Sequence, residues 1–183
     1  MTGSRRWQVT LTLVLVVALG LVVVVGVLRL AQLRSVPLGA PRAQPTQGAG
    51  PSTVELSADA VNHSSADAVR DLLVKHFSAI NSKNYVAWAN TVVAARVSGQ
   101  PEPAWRQAYG TTVDGTVRII RIDEQSAGRL VALVSFVSTQ KPENGPEGLK
   151  LGQICWRVAM PLVADPLRLD VAKTGSTLLG PCF

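Results

Sequence analysis

The sequence predicts an α+β domain carried behind an N-terminal membrane helix. Three observations predict it: a run of twenty uncharged residues near the start, apolar residues at helical spacing in the middle, and two-residue alternation in the last third.

The uncharged run is VTLTLVLVVALGLVVVVGVL, from Val9 to Leu28, with Thr10 and Thr12 its only polar side chains. At 1.5 Å per residue it matches the roughly 30 Å of a bilayer core. A cleaved signal peptide has a shorter apolar region and a small-x-small cleavage site. Here Ala40 follows Leu38 and Ala43 follows Pro41 at the required offset, and no cysteine follows to take a lipid. The expected plan is therefore a cytoplasmic tail over 1–8, a transmembrane helix over 9–30, a flexible linker over 31–63 and an extracytoplasmic α+β domain over 64–183. Arginines flank both ends of the apolar run (Arg5 and Arg6, then Arg29 and Arg34), so charge alone does not orient it. A cysteine pair near the C-terminus suits an oxidising compartment and places the N-terminus in the cytoplasm. Trp7 stands where an interfacial aromatic anchors a helix. Gly20 and Gly26 lack the spacing of a helix-pairing motif.

The linker is rich in Pro, Gly, Ala and Gln and poor in large apolar side chains. Asn62-His63-Ser64 matches a glycosylation sequon, a three-residue pattern that chance supplies freely. Next, SSADAVRDLLVKHFSAINSKN sets Val69, Leu72, Leu73, Phe77 and Ile80 at helical spacing behind serine N-caps. NYVAWANTVVAAR predicts a second helix with Tyr85, Trp88 and Val92 on one side, and PEPAWRQAYGTT a third with Trp105 and Tyr109.

After Asp114-Gly115 the pattern changes. GTVRIIRIDE and RLVALVSFVSTQ are β-branched runs separated by a Ser126-Ala127-Gly128 turn. QICWRVAMPLV sets Ile154, Trp156, Val158 and Met160 on one face, and LRLDVAK sets Leu167, Leu169 and Val171 inward. Asp165-Pro166 turns the chain between them, and KPENGPEGLK reads as a mobile connection. Helices first and about four antiparallel strands second make helices packed on one face of a curved sheet.

The net charge of +6 is misplaced for a nucleic-acid binder: residues 1–51 hold five arginines and no acid, whereas residues from Ser52 on hold thirteen basic and twelve acidic side chains. No nucleic-acid partner is expected. There is no GxSxG, HExxH, GxGxxG or Walker loop, and two histidines leave little for a metal centre. No cofactor or metal is expected, and no enzymatic activity.

The order FSAINSKNYVAWANTVV, then AWRQAY, then a strand meander resembles the cone-shaped nuclear-transport-factor-2-like fold. With the anchor and stalk, it also looks like uncharacterised membrane-anchored actinobacterial proteins. Two subfamilies share this layout, the mammalian-cell-entry-associated membrane proteins and the inner-membrane scaffold subunits of type IV secretion systems. No residue motif selects either. The resemblance implies an interior pocket, and enzymes, ligand binders and scaffolds all use the fold.

The candidate site residues follow. His76, Tyr85, Trp88, Trp105, Tyr109 and Trp156 are candidates to line a pocket, against a plain core role for each. Cys155 and Cys182 are expected to form a disulfide, which would close about 27 residues and stabilise by roughly 3 to 4 kcal/mol. A reactive thiol or metal ligand is the alternative, without a CxxC to support it. Asp114, Asp123 and Glu124 are candidate acids that turn chemistry explains more simply; Arg118 and Arg121 are candidates to bind anionic lipid headgroups or a partner's acids, against the simpler reading of an exposed strand whose charges discourage edge pairing. His63 lies near the linker without such neighbours. The expected role is a membrane-tethered docking module for envelope proteins or a second copy, with an apolar-ligand carrier as the alternative and acid-base chemistry by His76 a distant third.

Overall fold

The computed structural model describes Pro45 and residues 48–182. The expected tail, the transmembrane helix and most of the linker lie outside the described residues. Among the described residues no helix is long and apolar enough to cross a membrane.

Order begins well before residue 64. Strand β1 (Val54–Leu56) pairs parallel with β2 (Val113–Glu124), and a 3-10 turn over Ala60–Asn62 follows it. The expected linker boundary at 63 is therefore corrected. The order comes from β2: Val54 is buried against the sheet, and the hydroxyl of Ser57 donates to the Ile120 carbonyl while accepting from the Ala60 N–H. The sheet is thus mixed, with six strands rather than about four antiparallel ones. Its order is β1-β2-β3-β4-β5, with β3 at Leu130–Thr139, β4 at Gln153–Ala164 and β5 at Leu167–Leu169, and β6 (Thr177–Gly180) also pairing with β4.

Helix α1 (Ala66–Asn81) buries Val69, Leu72, Leu73, Phe77 and Ile80, the stripe that its spacing predicts. It packs against β1 and β2 and also against β5, at the far end of the strand order, so the sheet curls around it. Register shifts in β2 between Gly115 and Arg118, and between Ile119 and Arg121, supply the bend. Each fully buried aliphatic side chain contributes on the order of 2 kcal/mol.

The predicted second helix is two, α2 (Tyr85–Ala89) and α3 (Ala94–Gly99). Between them Thr91, Val92 and Val93 are β-branched, and the extended backbone they favour finds partners in β5. The Leu169 N–H donates to Thr91 O at 2.9 Å, and the Val93 N–H to Leu169 O at 2.9 Å. Helix α4 (Glu102–Tyr109) has Pro101 as its N-cap and an Arg106–Glu102 pair one turn apart. The connection at 141–152 is held, not loose: Lys150 Nζ donates to Glu143 O and Gly145 O, and Asn144 Nδ2 to Gln107 O. Val171 lies beyond β5 and is exposed rather than inward.

Cys155 and Cys182 form a disulfide with Cα atoms 5.1 Å apart, tying the C-terminal segment to β4 beside the Cys155–Gly180 register pair.

Candidate functional site

The six expected pocket residues fall into two chains of aromatic contacts. In the first, Trp88 from α2 and Trp105 from α4 are wholly buried with ring centroids 5.8 Å apart. Tyr85 lies 5.5 Å from Trp88 and 5.7 Å from Trp105, and Tyr109 lies 5.5 Å from Trp105. The two indole N–H groups have no hydrogen-bond acceptor, and their packing neighbours include aromatic rings, which offer only weak π acceptance. Trp88 and Trp105 are closed over, whereas Tyr85 and Tyr109 beside them are half-buried.

The second chain runs from His76 to Phe77 (5.7 Å), from Phe77 to Phe136 (5.1 Å) and from Phe136 to Trp156, stacked at 5.6 Å. It crosses from α1 onto β3 and β4. By register Ala132, Val134, Phe136 and Ser138 share the helix-bearing face with Met160, Val158, Trp156 and Ile154. Ala132, Val134, Ser138 and Ile154 are buried, whereas Phe136, Trp156, Val158 and Met160 remain half-buried. The concave face thus has a closed part and an open part.

His76 is buried, with Nδ1 2.7 Å from the Thr91 hydroxyl. That hydroxyl donates its one proton to Trp88 O at 2.6 Å, so the ring donates from Nδ1 and Nε2 keeps the lone pair. Burial, and then the Arg96 charge, lower the His76 pKa to about 3, so the ring is neutral. Tyr109 is pushed up by burial, with Arg96 opposing and Asp114 reinforcing. Arg96 is itself lowered by burial, countered by Tyr109 and Asp170. Among the described residues the Arg96 guanidinium has no hydrogen-bond or ion-pair partner, since Asp170 pairs with Arg129.

Asp114 is not a turn acid. It is buried on the concave face of β2, opposite Ser138, and its backbone is clamped by one side chain: Asn81 Nδ2 donates to Asp114 O at 2.9 Å, and the Asp114 N–H to Asn81 Oδ1 at 2.7 Å. Its Oδ1 has no partner. Burial pushes its pKa up to about 7 against the pull of Lys83, whose ammonium donates to Ile80 O and Thr112 O. Asp123 pairs with Arg121, and Glu124 lies 3.9 Å from His63. Arg118 is not on an edge, because β1 pairs with β2 at Val117–Ile119, while Arg121 lies past that pairing.

Sequence reasoning missed Phe136 and Arg96 as site residues and undervalued Asp114. Strand alternation could have found Phe136, in register with Trp156, but nothing in the sequence marks Arg96. Among the described residues no group of three or more His, Cys, Asp or Glu side chains stands together to hold a metal ion. Compared with protein-family models, curated proteins and solved structures, the chain matches none.

Proposed function

We propose that this chain is a single-pass, membrane-tethered binding domain on the non-cytoplasmic side, folded as a nuclear-transport-factor-2-like cone, and that it holds a small amphipathic ligand at the open part of its concave face. The observation that carries this reading is the Asp114 Oδ1 atom, buried without a partner in a sheet whose neighbouring concave residues Phe136, Trp156, Val158 and Met160 stay half-buried. A buried polar group without a partner costs about 1 to 3 kcal/mol, a cost that a ligand group can remove. The half-buried ring and aliphatic side chains offer the apolar wall that such a ligand needs. Binding rather than catalysis is favoured because His76 and Asp114 share no hydrogen bond, and a histidine with a pKa near 3 is a weak base.

Native mass spectrometry of the full chain released from membranes in mild detergent tests this. A bound small molecule of constant mass is expected, lost in Asp114→Asn and Trp156→Ala. Unliganded protein in every preparation would contradict it.

Docking to envelope proteins is the second reading, favoured by Leu178 and Leu179, exposed on β6. Leu178→Glu would then abolish proximity labelling of neighbouring proteins and leave ligand retention intact.

A further inference from the structure

The packed helices lie on one face of the sheet, and the opposite face has a different character. By register one row crosses five strands there: Glu55, Arg118, Ser135, Arg157 and Leu178. The next rows pair Arg121 with Leu133 and Val131 with Pro161, and Arg168 stands opposite Val163 on β5. Among the described residues Arg157 and Arg168 have no side-chain partner, while Arg121 is paired with Asp123. The face therefore presents half-buried aliphatic side chains among four arginines and two acids.

The chain enters the domain across this same face. At one end of it Gly115 lies under Ala49 and Gly50, so close that a Cβ would meet their carbonyl oxygens at 2.6 and 2.5 Å. Thr116 Oγ1 donates to Ala49 O at 2.7 Å, and Gln153 Nε2 donates to Gly48 O at 2.8 Å and Pro45 O at 3.1 Å. Sixteen residues separate Leu28, the last of the apolar run, from Pro45. Covalent geometry alone limits sixteen residues to a reach of about 55 Å.

We infer that this arginine-bearing sheet face rests against the anionic headgroups of the membrane that tethers the chain. The inference rests on the tethering proposed above. A short tether arriving on this face keeps it close to the bilayer, and arginine is drawn to phosphate oxygens. A second copy is a poorer occupant, because two-fold pairing of this face sets arginines against arginines.

The full chain is reconstituted in vesicles, either wholly phosphatidylcholine or 70:30 phosphatidylcholine to phosphatidylglycerol, each with a headgroup-spin-labelled lipid. Both native cysteines are bonded, so Ser135→Cys and, on exposed α1, Asp71→Cys each give one free thiol for a fluorophore. Strong quenching is expected at Ser135→Cys in anionic vesicles only, falling with salt, and about fivefold weaker contact for each of Arg157→Gln and Arg168→Gln. Little quenching is expected at Asp71→Cys. Chain released from the vesicles by alkaline carbonate would overturn the tether. Retained chain with Ser135→Cys unquenched, equally quenched in both vesicle types, or shielded only in a dimer or by added acidic protein, would overturn the face assignment alone.

Discussion

The two aromatic chains of the concave face are made of similar residues and do different things. Around Trp88 and Trp105 the rings belong to helices α2 and α4, and the two indoles are wholly buried with Tyr85 and Tyr109 half-buried beside them. Around Phe136 and Trp156 they belong to strands, stack in parallel and stay half-buried, with the unpartnered Oδ1 of Asp114 on the same face. Aromatic content alone does not make a pocket. What separates core from site here is the kind of polar atom left over: indole N–H groups sealed among rings in one half, a carboxyl oxygen in the other.

The largest effect that sharpens this contrast is expected at the closed half. Trp105→Ala removes a wholly buried side chain and should cost about 3 to 5 kcal/mol of unfolding free energy in urea titration. A loss below about 1 kcal/mol would mean that the region is not a packed core. Next, Cys155→Ala with Cys182→Ala should cost roughly 2 to 4 kcal/mol, and alkylation with mass spectrometry should find no free thiol in the native protein.

Smaller but more diagnostic are two opposed titrations. Asp114 is raised to about 7 from 3.8, so the folded protein holds a proton that the unfolded chain has lost, and stability falls as pH rises through that window. His76 is lowered to about 3 from 6.5, so its contribution is present above 6.5 and is lost as pH falls toward 3. Between about pH 4 and 6.5 the slopes cancel, each roughly 1 kcal/mol per pH unit. Asp114→Asn should leave stability rising with pH there, and His76→Gln should leave it falling. Parallel pH profiles for the two variants would contradict the burial of both groups in their uncharged forms. The smallest stability effect, about 1 to 2 kcal/mol, belongs to Trp156→Phe, which keeps an aromatic ring but loses the indole N–H that donates to Ser138 Oγ at 2.7 Å.

How far the sequence revealed this depended on the size of each signal. Helix α1 and the alternation in β4 were legible because five and four apolar side chains repeat at fixed spacing. Strand β1 was not, because three residues inside a Pro- and Gly-rich stretch carry no periodicity and gain their order from β2. The break at Thr91–Val93 needed knowledge of β5, eighty residues away. Cys155 and Cys182 were legible as a pair because there was no third cysteine. Asp114 looked like a turn residue beside Gly115, since its burial depends on Asn81 and on the sheet curling around α1.

Site-specific photocrosslinking in living cells tests the central claim most directly, with a benzophenone amino acid at Met160 on the open concave face. Irradiation is expected to add a small-molecule mass to the chain from Met160, and the same probe at Leu178 should not capture it. A Met160 probe that yields unmodified chain, or crosslinks only to other proteins, would contradict a ligand site in the open half.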